Sequence, residues 1–146
     1  MSSIVNLMSH DHRACDDEFV QIEAAFAKGD WRAAIDNFAV FSVSIERHFL
    51  AEELQLFPAF EKATGMSSGP TAVMRMEHGQ IRDLLSDLCE SIETQDLSGC
   101  QGSAETLLIM MQQHNMKEEN ILYPMCDQHL QALPLCSTLS SAIKRA

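Results

Sequence analysis

One spacing restricts what this chain can fold into more than any other feature. His12, His48 and Glu52 are echoed by His78, His114 and Glu118, each 66 residues further on. The flanking sequence repeats with them. His48-Phe-Leu-Ala-Glu52-Glu53-Leu-Gln-Leu56-Phe57-Pro58 aligns with His114-Asn-Met-Lys-Glu118-Glu119-Asn-Ile-Leu122-Tyr123-Pro124. The chain is therefore two halves of like construction, each carrying two imidazoles and a carboxylate at matched positions.

Apolar residues at three- and four-residue intervals make each half a pair of amphipathic helices. Good helix formers dominate, glycine and proline sit at a few points, and no β-branched alternating run occurs, so the fold class is all-α. The first helix is expected to run to about Ala27, with Val5, Met8, His12, Phe19, Ile22 and Phe26 facing inward. Gly29-Asp30 ends it and caps the second, whose inward stripe is Ile35, Phe38, Phe41, Ile45, His48, Glu52 and Leu56, with Pro58 near its end. A loop spans Thr64 to Pro70, the proline opening the third helix. That helix presents Val73, Met74, His78, Ile81, Leu85, Leu88 and Ile92. After a break from Gln95 to Gly102, the fourth carries Leu107, Met110, Met111, His114, Glu118, Ile121, Leu122 and Met125. A short helix from Leu135 to Lys144 is expected to pack across one end.

These lengths set the four histidines level. With turns centred near residues 29 and 97, each histidine lies 17 or 19 residues from its turn, about 26 to 28 Å along its helix at 1.5 Å per residue. An up-down-up-down four-helix bundle then holds all four in one layer. At 146 residues the chain reads as a single domain over residues 1–146, the bundle covering about 4–130 and the terminal helix about 135–145.

Composition excludes several classes of function. The formal net charge is -11 and the basic residues are scattered, which argues against nucleic acid or an anionic membrane as partner. No apolar run approaches a membrane span, and the first residues lack the basic and apolar regions of an export signal, so a cytoplasmic protein is expected. Five cysteines, an odd number without a C-x-x-C pair, read as free thiols rather than disulfides or a zinc-thiolate site.

Within each His-x-x-x-Glu segment, residues i and i+4 share a helical face. Glu52 and Glu118 fall on apolar stripes, where an unpaired carboxylate is expensive and a cation removes the cost. His12, His48, Glu52, His78, His114 and Glu118 are therefore candidate metal ligands. Six nitrogen and oxygen donors without thiolate suit borderline first-row ions, and two carboxylates spanning four imidazoles suit two ions rather than one. Iron leads, with manganese behind it and mononuclear zinc a poorer match.

Asp11-His12-Arg13, His48 with Glu52, Glu77-His78-Gly79, His114 with Glu118, and the Leu-Phe-Pro and Leu-Tyr-Pro triplets resemble the hemerythrin-like (HHE) cation-binding domain over roughly residues 4 to 130. The resemblance implies two iron ions with a bridging oxide or hydroxide. It also implies an open position for a small diatomic or peroxide such as dioxygen, nitric oxide or reactive oxygen species. Oxygen-carrying members have a fifth histidine one turn before the third, where this chain has Met74. The six-ligand form is more like members linked to nitric oxide or oxidative stress, to sensing, or to iron handling without turnover. A ferritin-like oxidase matches less well, since those bundles use Glu-x-x-His with further carboxylates.

Other residues carry lesser expectations. His10 points away from His12 and His129 lies near a helix end, both toward solvent. Glu53 and Glu119 point about 100° from the ligand beside them, a placement suited to supporting a ligand or facing solvent. Cys15 is expected to pack in the core, as are most of the methionines, with Met74, Met110 and Met111 near the metal layer. Tyr123 either donates to the site or bonds at the bundle end.

Overall fold

The computed structural model describes residues 3–145, and among them every regular element is helical. Helix α1 spans Ile4–Ala27 and α2 spans Trp31–Ala51; a π turn, Glu52–Leu56, leads from α2 directly into α3, Phe57–Thr64. Helix α4 is Pro70–Glu93, and α5, Leu97–Lys117, passes through a second π turn, Glu118–Leu122, into α6, Tyr123–His129. Helix α7, Ala132–Ala142, follows. Helix α1 packs along α2, α4 along α5, and α2 against α4 and α1 against α5 complete a helical bundle.

The turns repeat as the ligands do. Asp30 and Asp96 cap α2 and α5 with side chains that accept from the N–H groups of Ala33 and Gly99. Ahead of each cap, the N–H of Asp30 bonds to Ala25 O and that of Asp96 to Ser91 O, so the same wrap-around closes α1 and α4. The left-handed residue this closure needs is Gly29 (φ 73°) in the first hairpin and Gln95 (φ 56°) in the second. Helix α5 therefore begins at Leu97, not after Gly102 as the glycines suggest. Gly99 belongs inside its first turn because a β-carbon there would lie 2.5 Å from the capping Asp96 Oδ2.

Two apolar clusters build the core, and the metal-ligand candidates lie between them. One gathers Cys15, Phe19, Phe41, Phe49, Ile81, Leu88, Leu107 and Met111. The other gathers Met8, Ala51, Leu56, Phe57, Met74, Leu122 and Tyr123. Along each chain segment the candidate ligands fall where membership passes from one cluster to the other. Each large side chain so buried contributes about 1.5 to 3 kcal/mol.

Helical geometry corrects parts of the expected stripes. Counted back from His48 at 100° per residue, Ala34 lies about 40° from it and Ile35 about 140°. Ala34 is buried and Ile35 exposed. Val73 stands in the same relation to His78 and is exposed too, while Met74 is buried. Val5 is half-buried beside the buried Ile4. The terminal helix begins three residues early, with Pro134 in its first turn, where a missing N–H breaks no bond.

The second helix continues past Pro58 because of its π turn. The N–H of Phe57 bonds back five residues to Glu52 O, leaving Glu53 O with no helical donor, since the next N–H belongs to a proline. Arg75 Nη2 donates to that carbonyl at 3.3 Å. In the second half the N–H of Tyr123 bonds to Glu118 O ahead of Pro124. A five-residue turn sets residue i+5 nearly above residue i, so Tyr123 is buried and Ile121, expected inward, is 56% exposed.

Candidate metal centre

The bundle brings His12, His48, Glu52, His78, His114 and Glu118 into contact, all at least 95% buried. Their donor atoms form two groups. His12, His48, Glu52 and Glu118 make one, and Glu52, His78, His114 and Glu118 the other, each with its ligating atoms within 4.8 Å of one another. Both carboxylates belong to both groups. Glu52 directs Oε2 toward His48 Nε2 (3.5 Å) and Oε1 toward His78 Nε2 (3.0 Å). Glu118 Oε1 lies 3.1 Å from His12 Nε2 and 3.3 Å from His114 Nε2.

Every imidazole is oriented by a carboxylate on its far nitrogen. His12 Nδ1 lies 2.7 Å from Glu119, His48 Nδ1 2.7 Å from Asp11, His78 Nδ1 2.7 Å from Glu53 and His114 Nδ1 2.9 Å from Glu77. These contacts assign the proton of each neutral ring to Nδ1 and turn the Nε2 lone pair inward, the arrangement that suits a metal ligand. Three of the four carboxylates are themselves held by cations. Arg82 donates to Glu53 (2.9 and 3.1 Å), Lys117 to Glu77 (2.5 Å), and Arg145 to Asp11. Although burial opposes it, these contacts draw the carboxyls of Asp11, Glu53 and Glu77 below their ordinary range. Among the described residues no cation contacts Glu119.

The inner surface of this layer is made chiefly of imidazole nitrogens and carboxylate oxygens. Four of its buried atoms, Glu52 Oε1, His78 Nε2, His114 Nε2 and Glu118 Oε2, have no hydrogen-bond partner. Such atoms cost about 1 to 3 kcal/mol each when orphaned. Protons offset part of the negative charge gathered here. Burial resists the charge on His48, yet Glu52 and Asp11 lift it to about 10, and Glu118 and Glu52 lift His114 to about 9 against the same resistance. His12, penalised by burial and by His48, falls to about 4. Burial and the facing Glu52 raise Glu118 to about 7. The residues fit a divalent or trivalent first-row ion: imidazole and carboxylate donors, no thiolate, and ligating atoms that converge in two buried groups.

Tyr123 reaches the middle of the first group. Its hydroxyl donates to Glu52 Oε2 (2.5 Å) and lies 3.0 Å from Glu118 Oε1, 3.2 Å from His12 Nε2 and 3.3 Å from His48 Nε2. Phe57 holds the equivalent place in the other half, its ring stacked on His78 at 5.7 Å between centroids.

The remaining expected positions are dispersed. His10 and His129 are exposed, and Cys15 is buried with its sulfur 3.5 Å from Arg145 Nη2. Met74 and Met111 are buried in the two flanking clusters, and Met110 packs half-buried against one of them. Glu53 and Glu119 bond to ligand candidates rather than joining the two groups. Sequence reasoning missed Asp11 and Glu77, although each immediately precedes a repeated histidine and shares the 66-residue shift. Arg145 had no local signal, because it arrives from the far end of the chain.

Comparisons with curated proteins and with solved structures return no match. The hemerythrin HHE cation binding domain matches residues 3–126, a span that contains all six inward-facing ligand candidates and the four carboxylates behind them. The chain belongs to the hemerythrin HHE cation-binding family.

Proposed function

We propose that this chain is a non-haem di-iron protein that binds, senses or detoxifies a small diatomic or peroxide. His12, His48, Glu52, His78, His114 and Glu118 would hold two iron ions, with both carboxylates shared between them. The observation that carries this reading is the convergence of four buried imidazole nitrogens and two buried carboxylates into two groups that share Glu52 and Glu118, with four of the inward atoms lacking a hydrogen-bond partner. Iron bound there would supply a redox-active Lewis acid with room for an exogenous ligand.

The chain's own residues do the rest. Asp11, Glu53, Glu77 and Glu119 fix the imidazole rings so that Nε2 faces inward before any ion arrives. The apolar clusters on either side keep bulk water from the layer. Glu119, which holds His12, also lines a surface cleft of about 890 Å³ together with Ser9, His10 and Arg13. We further infer that the four long helical segments run up-down-up-down as one domain, the short turns at Gly29 and Gln95 supporting that order. Five unpaired cysteines suit a reducing compartment such as the cytosol. Among the described residues no helix is long and apolar enough to cross a membrane.

The test is the absorption spectrum of protein loaded anaerobically with ferrous iron, recorded before and after dioxygen and, separately, nitric oxide. New charge-transfer bands with either gas are expected. A spectrum unchanged by both would overturn the small-ligand reading and leave a metal-dependent regulatory or iron-handling protein.

A further inference from the structure

The Tyr123 hydroxyl is surrounded by more acceptors than it has protons. His12 commits its ring proton to Glu119, so its Nε2 near Tyr123 is a lone pair, and His48, bonded through Nδ1 to Asp11, offers a second one once an ion displaces its Nε2 proton. The other two neighbours are carboxylate oxygens of Glu52 and Glu118. One phenolic proton faces three acceptors and the His48 nitrogen, all between 2.5 and 3.3 Å away. A hydroxyl can donate once, so the arrangement is overfilled with lone pairs as a hydrogen-bond network.

The same distances have a simple meaning in coordination geometry. Ligands at about 2.1 Å in an octahedral site are separated by about 3.0 Å along a cis edge and about 4.2 Å across the metal. The phenolic oxygen is 2.5, 3.0, 3.2 and 3.3 Å from the four donors of its group, near the cis-edge separation and well short of the trans one. An oxygen that close to all four donors is within reach of an ion they hold. The π turn puts it there, since a plain α-helix would carry residue i+5 about 140° away from Glu118. The repeat provides an internal contrast: Phe57 has no oxygen to offer the second group, and the buried thioether of Met74, one turn before His78, offers only a weak, soft donor.

Resting on the di-iron reading above, we propose that Tyr123 is a fifth protein ligand at the His12/His48 position, bound as phenolate with its proton released to solvent as the ion enters. The two positions are then unequal. The His12/His48 ion has five protein ligands, and the His78/His114 ion, with four, is the one that exchanges ligands with solvent.

Resonance Raman and Mössbauer spectra of the ferric protein, wild type and Tyr123→Phe, test this with azide as the probe ligand. The wild type should show a visible phenolate-to-iron band with tyrosinate ring modes and two Mössbauer doublets of equal area. Tyr123→Phe should take up the same iron and lose the band and the ring modes. Azide should shift only the doublet of the ion without tyrosinate. Two irons in the wild type without tyrosinate modes would overturn the ligand assignment and leave the di-iron reading standing. Azide displacing the tyrosinate would overturn the assignment of the exchanging position. No iron uptake by the wild type would overturn the di-iron reading itself.

Discussion

Replacing Glu118 with glutamine should make the metal-free protein more stable, although Glu118 is fully buried and touches several partners. The reason is the environment of its carboxylate, which burial and the nearby Glu52 raise from 4.5 to about 7. The folded form thus holds a proton that the unfolded form releases. The stabilising contribution of that proton is complete below about pH 4.5 and is lost as pH rises through 7. At 1.36 kcal/mol per pKa unit, ionised Glu118 costs the fold about 3 kcal/mol at pH 8 and about 1 kcal/mol at pH 5. Glutamine keeps the shape, with an amide oxygen to accept where Glu118 Oε1 stands, and avoids the charge. We expect chelator-treated Glu118→Gln to exceed chelator-treated wild type by about 2 kcal/mol at pH 8, on the order of 5 °C in midpoint, with the gap narrowing toward pH 5. Thermal and urea denaturation at both pH values would measure it. A metal-free wild type more stable than the variant at pH 8 would refute the reasoning that this layer is costly to the fold and is maintained for a cation.

Other expectations are independent of that one. Asp11→Ala, which strips Nδ1 support from His48 and frees Arg145, should weaken iron binding about 10- to 100-fold in a chelator competition. Glu119→Ala, at a site 33% exposed where water can replace the carboxylate, should weaken it less. Gln95→Gly should stabilise the protein by about 0.5 to 1 kcal/mol in urea titrations, because it relieves a left-handed residue that Gly29 accommodates without strain in the matching turn. Iron loading at pH 8 should release about three protons per chain, two from His48 and His114, whose raised values of about 10 and 9 keep them charged until an ion displaces the protons, and one from Tyr123 as it binds. A pH-stat titration showing no release would contradict that picture.

Much of the centre is legible in the amino-acid sequence, because ligands at matched offsets on amphipathic stripes demand a common layer. His12, His48, His78 and His114 each sit at the inward point of a 3.6-residue period, and counting along the helices sets them level. Errors appear where that period fails or is counted from the wrong residue. Ile35 and Val73 each stand beside the residue that faces in. Ile121 lies within a π turn, whose hydrogen bonds skip a residue without any signal stronger than the following proline. The same turn explains why spacing alone does not decide between the two places open to Tyr123: its position over Glu118 depends on a backbone register that hydrophobic periodicity does not encode. Arg145 illustrates a third limit, since it meets Asp11 only through the path of the terminal helix.

The central claim is that two metal ions share Glu52 and Glu118 within this layer. Anomalous diffraction at the iron edge from crystals of the iron-loaded protein tests it most directly. Two peaks about 3.5 to 4 Å apart are predicted, one between His12 and His48 and the other between His78 and His114, with both carboxylates reaching each. A single peak, or iron bound anywhere other than among these six side chains, would contradict it.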